Sequence, residues 1–487
     1  MSTAAPTHRT DRPAILSGGA TASGTGRLWL GMHSRSRHQL SVQFGLDDLR
    51  FSASYWYADA DLIELEARWG NDFMERIYFH ITAFTANALL SLAPARFDPG
   101  PYAAYCGPEF SVLWSRIFDG VWAQWRYEHD LADYRGPLIE PVGRAGARVA
   151  LAPADLRALA FVGGGKDSVV SVRLLEKAHV ACDTLVYSSS GYGSAQVQHR
   201  LCDALLDALD RPAEGRRRVW LFDDVAESPL LQLGPVNGLH GLTTAETPAS
   251  VFAALPLVLQ HGYSYLCLGH ERSADTGNLI WRRTGEEVNH QWGKSVECEI
   301  LLADYLCTYL IAHCVYFSPL KPAYDVLILR LLRDDLVAVP FTHSCNTHKP
   351  WCGRCPKCAY VWLSYHAYLP KDVVELTFAG LGNLFDAPEN HLSYRQLLGL
   401  EEHTPFECVG GVDEVRLAFE LCRQKGIRGA AMSVFEAEVP AVKTDRLLDR
   451  YLSVGTLAPS VPVPLRTRLE AVLKQYAAEA MERLAPQ

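Results

Sequence analysis

The chain has 487 residues, 48% of them hydrophobic and 21% charged. Those fractions suit a globular protein and exclude bulk disorder, a fibrous repeat and a membrane bundle. The formal net charge of -9, from 46 Lys+Arg against 55 Asp+Glu, argues against a nucleic-acid partner, because phosphate contacts need a basic face. A local pocket for a small anion stays open. At roughly 150 residues per domain the length points to two or three domains. No disulfide staple is needed for a core of this size.

Residues 1–26 are rich in Gly, Ser, Thr and Ala and lack the apolar run of a secretion leader. They read as a disordered tail. The thirteen cysteines, an odd number, then read as free thiols in a reducing cytoplasm. Residues 39–44 and 49–57 alternate apolar and polar side chains, predicting a hairpin across 45–48. Over 59–92 the spacing turns helical, with Leu62, Leu65, Trp69, Phe73, Ile77 and Ile81 on one stripe. A helix over 110–127 and a linker over 136–146 complete an N-terminal α+β domain at 27–150.

From 151 to 342 short apolar runs alternate with helical patterns. Strands are expected at 158–162, 184–187, 219–222, 265–268 and 325–329, with helices from 166 to 178 and at 193–209, 248–261 and 295–313. This alternation predicts an α/β fold, a doubly wound parallel sheet with helices on both faces, binding its ligand at the carboxyl ends of the strands. Residues 296–317 are the most apolar long stretch, but Glu297, Glu299, Asp304 and His313 interrupt it. It reads as a buried helix with no membrane partner. A four-cysteine module at 343–368 and a mainly helical part at 369–487 follow.

The sharpest signal is Gly163, Gly164, Gly165, Lys166, Asp167 and Ser168, directly after a strand and opening a helix. Glycines permit positive φ and let phosphate oxygens approach backbone amides closely. The helix start aims its amides and dipole at the same anion. Lys166 adds positive charge, Ser168 a hydroxyl, and Asp167 a ligand for Mg²⁺ beside a pyrophosphate. The spacing is neither a Walker A loop nor a dinucleotide fingerprint. An ordinary glycine-rich strand–helix turn is the plain alternative. The loop resembles the S-G-G-x-D-S loop of the PP-loop N-type ATP pyrophosphatases, with Gly163 where most members have Ser. The resemblance implies cleavage of ATP between the α and β phosphates and adenylation of a substrate oxygen.

Cys345, Cys352, Cys355 and Cys358 have the spacing C-x6-C-x2-C-x2-C, which can place four thiolates around one tetrahedral structural Zn²⁺. An iron–sulfur cluster or free thiols are the alternatives, and His343 and His348 are possible substitute ligands. The pattern is similar to that of the 7-cyano-7-deazaguanine synthases, which also carry a PP-loop, over about residues 156–365.

A polar loop at 268–278, holding His270, Glu271 and Asp275, follows an expected strand. Ionisable groups there are candidates for proton transfer or metal binding, against the plainer reading of a solvated loop. Ser295 reads as a helix cap with Glu297 in the first turn, leaving His290 and Lys294 as possible substrate contacts. Residues 406–414 read as a helix start or a second anion cradle.

These motifs, in this order and in a chain of this size, resemble the ATP-dependent UDP-N-acetylmuramoyl-L-alanyl-L-glutamate epimerases of bacterial wall synthesis, over about residues 27–480. The resemblance implies inversion of the terminal L-glutamate of UDP-MurNAc-L-Ala-L-Glu to D-glutamate, with ATP going to AMP and pyrophosphate. A muramyl-L-alanine L-glutamate ligase would be the functional partner. Gly163, Gly164, Gly165 and Ser168 would hold pyrophosphate, Asp167 would hold Mg²⁺, and Lys166 would offset phosphate charge. His270 would be the acid/base, with Glu271 or Asp275 as partner or metal ligand, and Cys408 a candidate for the second face. The rivals are an adenylating ligase acting on a nucleobase or tRNA, and a zinc- and nucleotide-binding regulatory protein.

Overall fold

The computed structural model describes residues 26–151, 156–225, 228 and 241–484. The expected tail, up to residue 25, lies outside the described residues.

Five strands pair in parallel in the spatial order Val315–Phe317, Tyr265–Cys267, Arg157–Phe161, Ala181–Tyr187, Arg216–Asp223. The chain winds outward from Arg157–Phe161 to Arg216–Asp223 and then returns to the other side of Arg157–Phe161. The winding therefore reverses between Arg157–Phe161 and Tyr265–Cys267. Ligands of open α/β sheets gather at the carboxyl ends beside such a reversal. Both sequence motifs, the glycine loop and the 268–278 loop, leave the sheet there.

Side chains alternate across each strand, as the two-residue period of a pleat requires. Ala158, Ala160, Tyr265 and Cys267 enter one core, while Leu159 and Leu266 enter the other. Helices Lys166–Lys177, Ala195–Ala208 and Asp325–Leu332 and the C-terminal helices cover the first face. Helices Asn71–Ala86, Pro108–Val121, Glu246–His261 and Val296–Tyr305 cover the second.

The N-terminal part continues this same sheet. Leu49–Tyr57 pairs antiparallel with Arg216–Asp223, and Gln39–Leu46, Arg27–Leu30, Arg96–Asp98 and Leu138–Ile139, with Ser34–Arg35 beside Gln39–Leu46, extend it to an 11-stranded sheet. The boundary expected near residue 150 does not divide the sheet. Pairing removes what would otherwise be an open edge of unsatisfied backbone groups at Arg216–Asp223. The hairpin turns as the sequence implies, with Leu46 opposite Leu49 and Asp47 at φ 50°. The helical stretch at 59–92 is broken at Gly70, φ 88°, into Leu62–Trp69 and Asn71–Ala86. Asp61 caps the first, accepting from the amides of Ile63 and Glu64 at 3.0 and 3.1 Å.

Two expectations are corrected. Residues 325–329, read as a strand, lie in the helix Asp325–Leu332. All eight of its residues are buried, so no exposed face marks a period, and a short apolar run cannot be told from a strand by pattern alone. The fifth parallel strand is instead Val315–Phe317, inside the stretch expected to be one buried helix. That stretch is the helix Val296–Tyr305, one wider turn at Leu306–Leu310, and then extended chain. Among the described residues no helix is long and apolar enough to cross a membrane. Beyond residue 355 the chain is mainly helical, from Pro356–Tyr368 to Val463–Leu484.

Candidate active site

Strand Arg157–Phe161 runs into Val162, whose amide donates to Leu185 O at 2.8 Å. The chain then turns through three glycines into helix Lys166–Lys177. Gly164 has φ 95°, and a Cβ there would overlap the His343 imidazole. A Cβ on Gly165 would lie 2.7 Å from Ser344 Oγ, whereas one on Gly163 would meet open space. The turn is thus fastened from behind by residues 343 and 344 and open in front. Gly163 N donates to Ser168 Oγ at 3.0 Å, and His343 N donates to Gly164 O at 2.8 Å. Unfilled space before a helix start is what an anion needs.

The second loop touches the first. A Cβ on Gly269 would lie 2.9 Å from Asp167 O. Lys166 is buried, and its Nζ donates to Asp167 Oδ1 and Asp325 Oδ1, both at 2.7 Å. Its charge is already offset inside the protein and does not face open solvent. Tyr360 donates its hydroxyl to the other Asp325 oxygen. Glu414 Oε1 accepts from Asp325 N and Ser273 Oγ, at 3.1 and 3.0 Å, and Oε2 from Gly411 N at 3.0 Å. Burial and the Asp325 charge hold Glu414 protonated more readily than a free carboxyl.

The three residues singled out at 268–278 have separate surroundings. Asp275 Oδ1 accepts from Val296 N at 2.8 Å and Lys321 Nζ at 3.2 Å, so it fixes the start of a helix. Glu271 is 2% exposed and its Oε2 has no hydrogen-bond partner among the described residues. Burial alone would raise its carboxyl, but Lys294, Lys166 and Lys357 together hold it below the usual range. Burial, then Lys294 and Lys321, push the His270 imidazole well below its ordinary value, so it is neutral. Its Nδ1 has no partner among the described residues. Ser295 caps its helix as expected, accepting from Cys298 N at 3.2 Å.

A cavity of about 530 Å³ opens beside these loops. Glu246, His290, Gln291, Lys294, Glu407 and Cys408 are among its lining residues. Lys294 ties the cavity to the glycine loop, since the charges of Cys408, Glu271 and Asp167 all act on its ammonium. Neither His270 nor Glu271 is among the lining residues. The cysteine cluster lies behind the glycine turn. The sulfurs of Cys345, Cys352, Cys355 and Cys358 all lie within 4.8 Å of one another, with Cys345 to Cys355 at 3.7 Å and Cys352 to Cys358 at 3.8 Å. Four thiolates bound at about 2.3 Å to one zinc stand about 3.8 Å apart, so the geometry fits that ion. His343 and His348 are not part of the set.

Sequence reasoning missed Lys321, Lys357, Asp325 and Glu246. Asp325 was hidden in an apolar run, and the other three carry no local pattern. Only the fold brings them to the site.

Two family models match the chain, the MurL N-terminal domain over residues 226–319 and the MurL C-terminal domain over residues 340–447. A curated protein of Salinispora tropica, named UDP-N-acetyl-alpha-D-muramoyl-L-alanyl-L-glutamate epimerase, is 32% identical over 66% of this chain and 68% of its own length. The chain belongs to this epimerase family. Relatives of the same name are 32% identical in a Micromonospora species, over 56% of this chain and 58% of that protein, and 33% identical in Xanthomonas oryzae pv. oryzae, over 60% and 64%. No solved structure matches. The 268–278 loop and the Cys408 segment fall within the family-matched regions, and the glycine loop at 163–168 lies before them.

Proposed function

We propose that the chain inverts the terminal L-glutamate of UDP-MurNAc-L-Ala-L-Glu to D-glutamate, spending ATP to activate the α-carboxyl as an adenylate. AMP and pyrophosphate are released, and the product enters peptidoglycan precursor synthesis. Family membership supplies the epimerisation. The observation that carries the use of ATP is the glycine turn, fastened behind by His343 and open in front, at the carboxyl edge where the sheet reverses. It supports a PP-loop type of nucleotide site.

The need for ATP follows from charge. Removing the α-proton beside an ionised carboxylate would place a second negative charge on the same group. Adenylation makes that carboxyl an uncharged acyl carbon, and the carbanion then delocalises as an enolate. Only the α-carboxyl borders the stereocentre, so that is the group activated. The amides of Gly163, Gly164 and Gly165 and the Ser168 hydroxyl would hold pyrophosphate. Asp167 and the unpartnered Glu271 oxygen would hold Mg²⁺, which neutralises phosphate charge when bound. Lys166 keeps Asp167 and Asp325 in place. Asp275 fixes the loop, and His270, neutral and with Nδ1 free, serves at the phosphate end. Zn²⁺ at Cys345, Cys352, Cys355 and Cys358 would be structural. The substrate would come from the ligase that adds L-glutamate to the muramyl-L-alanine nucleotide.

The test is release of pyrophosphate from ATP and Mg²⁺ on adding the L-glutamyl precursor. Asp167→Asn is expected to lower it by about 10²–10³-fold. Turnover unchanged by that substitution would remove Asp167 from the account.

A further inference from the structure

The cavity holds two ionisable side chains to which the proposed function gives no role. Cys408 comes from the loop before helix Val412–Gln424, and Glu246 from the first turn of helix Glu246–His261. They lie far apart in sequence on separate elements, yet both line the cavity, and Tyr192 senses the charge of both. The Cys408 thiol is paired with the His290 imidazole, whose Nδ1 lies 2.6 Å from Gln124 Oε1. Lys294 stands beside it, and Lys357 donates to its carbonyl oxygen. Glu407 lies next in the chain, its Oε2 engaged by Asn346 Nδ2 at 2.9 Å. Gln291, 6% exposed, lines the same space with an Oε1 that has no partner among the described residues. A polar group buried without a partner marks a place where a polar ligand belongs.

We propose that Cys408 and Glu246 are the proton-transfer pair of the inversion, one taking the glutamate α-proton and the other returning a proton to the opposite face. This rests on the adenylation reading above. The cleaved C–H bond leaves its electron pair in the enolate of the activated carboxyl, and its proton on the first group. The second group then gives its own proton to the α-carbon, and solvent resets both. Burial alone would raise the thiol, but Lys294 and His290 bring it down to about 7. Burial pushes the Glu246 carboxyl up to about 7, against the pull of the Ser189 hydroxyl. Acid and base groups matched in this way near neutral pH transfer protons most efficiently.

The test uses the whole chain, ATP and Mg²⁺ in deuterated water, with the L- or the D-glutamyl precursor supplied separately. Cys408→Ala and Glu246→Gln are each expected to lower inversion by about 10²–10⁴-fold, while substrate-dependent pyrophosphate release falls less than about tenfold. Each variant should still exchange the α-hydrogen of one diastereomer for deuterium without inverting it, and the two variants should retain opposite diastereomers. A Cys408→Ala protein that inverts within about tenfold of the unsubstituted chain overturns the assignment. So does loss of pyrophosphate release together with inversion in both Cys408→Ala and Cys408→Ser, since that would make the thiol structural. Pyrophosphate release absent from the unsubstituted chain would instead overturn the adenylation reading.

Discussion

At the scale of single residues the glycine turn separates conformation from space. Gly164 needs both, having φ 95° and the His343 ring where a side chain would go. Gly164→Ala should therefore cost about 1–3 kcal/mol and abolish ATP-dependent pyrophosphate release, read by thermal melting and by a pyrophosphate assay. Gly163 has open space, so Gly163→Ser should leave turnover within a few-fold. Equal damage from both would show that the space in front of Gly163 does not accept a side chain. Glu299 offers a pH test. Its Oε2 accepts from Ser318 N at 2.9 Å while Oε1 has no partner among the described residues, and burial pushes it from 4.5 up to about 7, with Lys321 opposing. A raised carboxyl stabilises the fold fully below its unfolded value. That contribution is lost as the pH rises through about 7. Glu299→Gln should remove up to ~3 kcal/mol of the stability lost between about pH 5 and about pH 8. Melting curves at both ends of that window check it, and an unchanged pH profile would show that another group carries the effect.

At the scale of elements the cysteine cluster and the helix it opens behave as one unit. Cys355 caps helix Pro356–Tyr368, its sulfur accepting from Cys358 N at 3.4 Å, and Tyr360 on that helix reaches Asp325. Removing the metal should therefore loosen both the C-terminal helices and the Lys166–Asp325 pair. One zinc per chain is expected by metal analysis. Cys355→Ser should lose it and lower stability on the order of several kcal/mol, with pyrophosphate release falling in parallel. The cluster's spacing was plain in the sequence because ligands of one ion recur at short intervals. The strand at Val315–Phe317 and the helix at Asp325–Leu332 were not plain. Both are short and almost fully buried, so neither has the polar face that sets a period. The hairpin at 39–57 was legible because one of its faces is exposed and the other is core.

At the scale of the whole molecule the 11-stranded sheet is the structural idea. The five parallel strands set the glycine loop and the 268–278 loop side by side, and the N-terminal hairpin completes the sheet and helps wall the cavity through Phe44 and Tyr55. The α/β class was legible from alternating runs. The joining of the N-terminal part was not, because edge-to-edge pairing between Leu49–Tyr57 and Arg216–Asp223 spans more than a hundred residues and leaves no local pattern. The glycine turn could be read residue by residue. Lys321, Lys357 and Glu246 could not, because each acts through neighbours that only the fold supplies. Taken together, the sheet brings a glycine turn, a lysine-rich cluster and a cavity holding the Cys408 thiol to one edge. Incubation with ATP, Mg²⁺ and the L-glutamyl nucleotide precursor in deuterated water examines all three at once. Deuterium at the glutamate α-carbon of a D-configured product, with one AMP and one pyrophosphate formed per inversion or more, is the expected result. Inversion without consumption of ATP, or ATP consumed with the α-hydrogen fully retained, would contradict it.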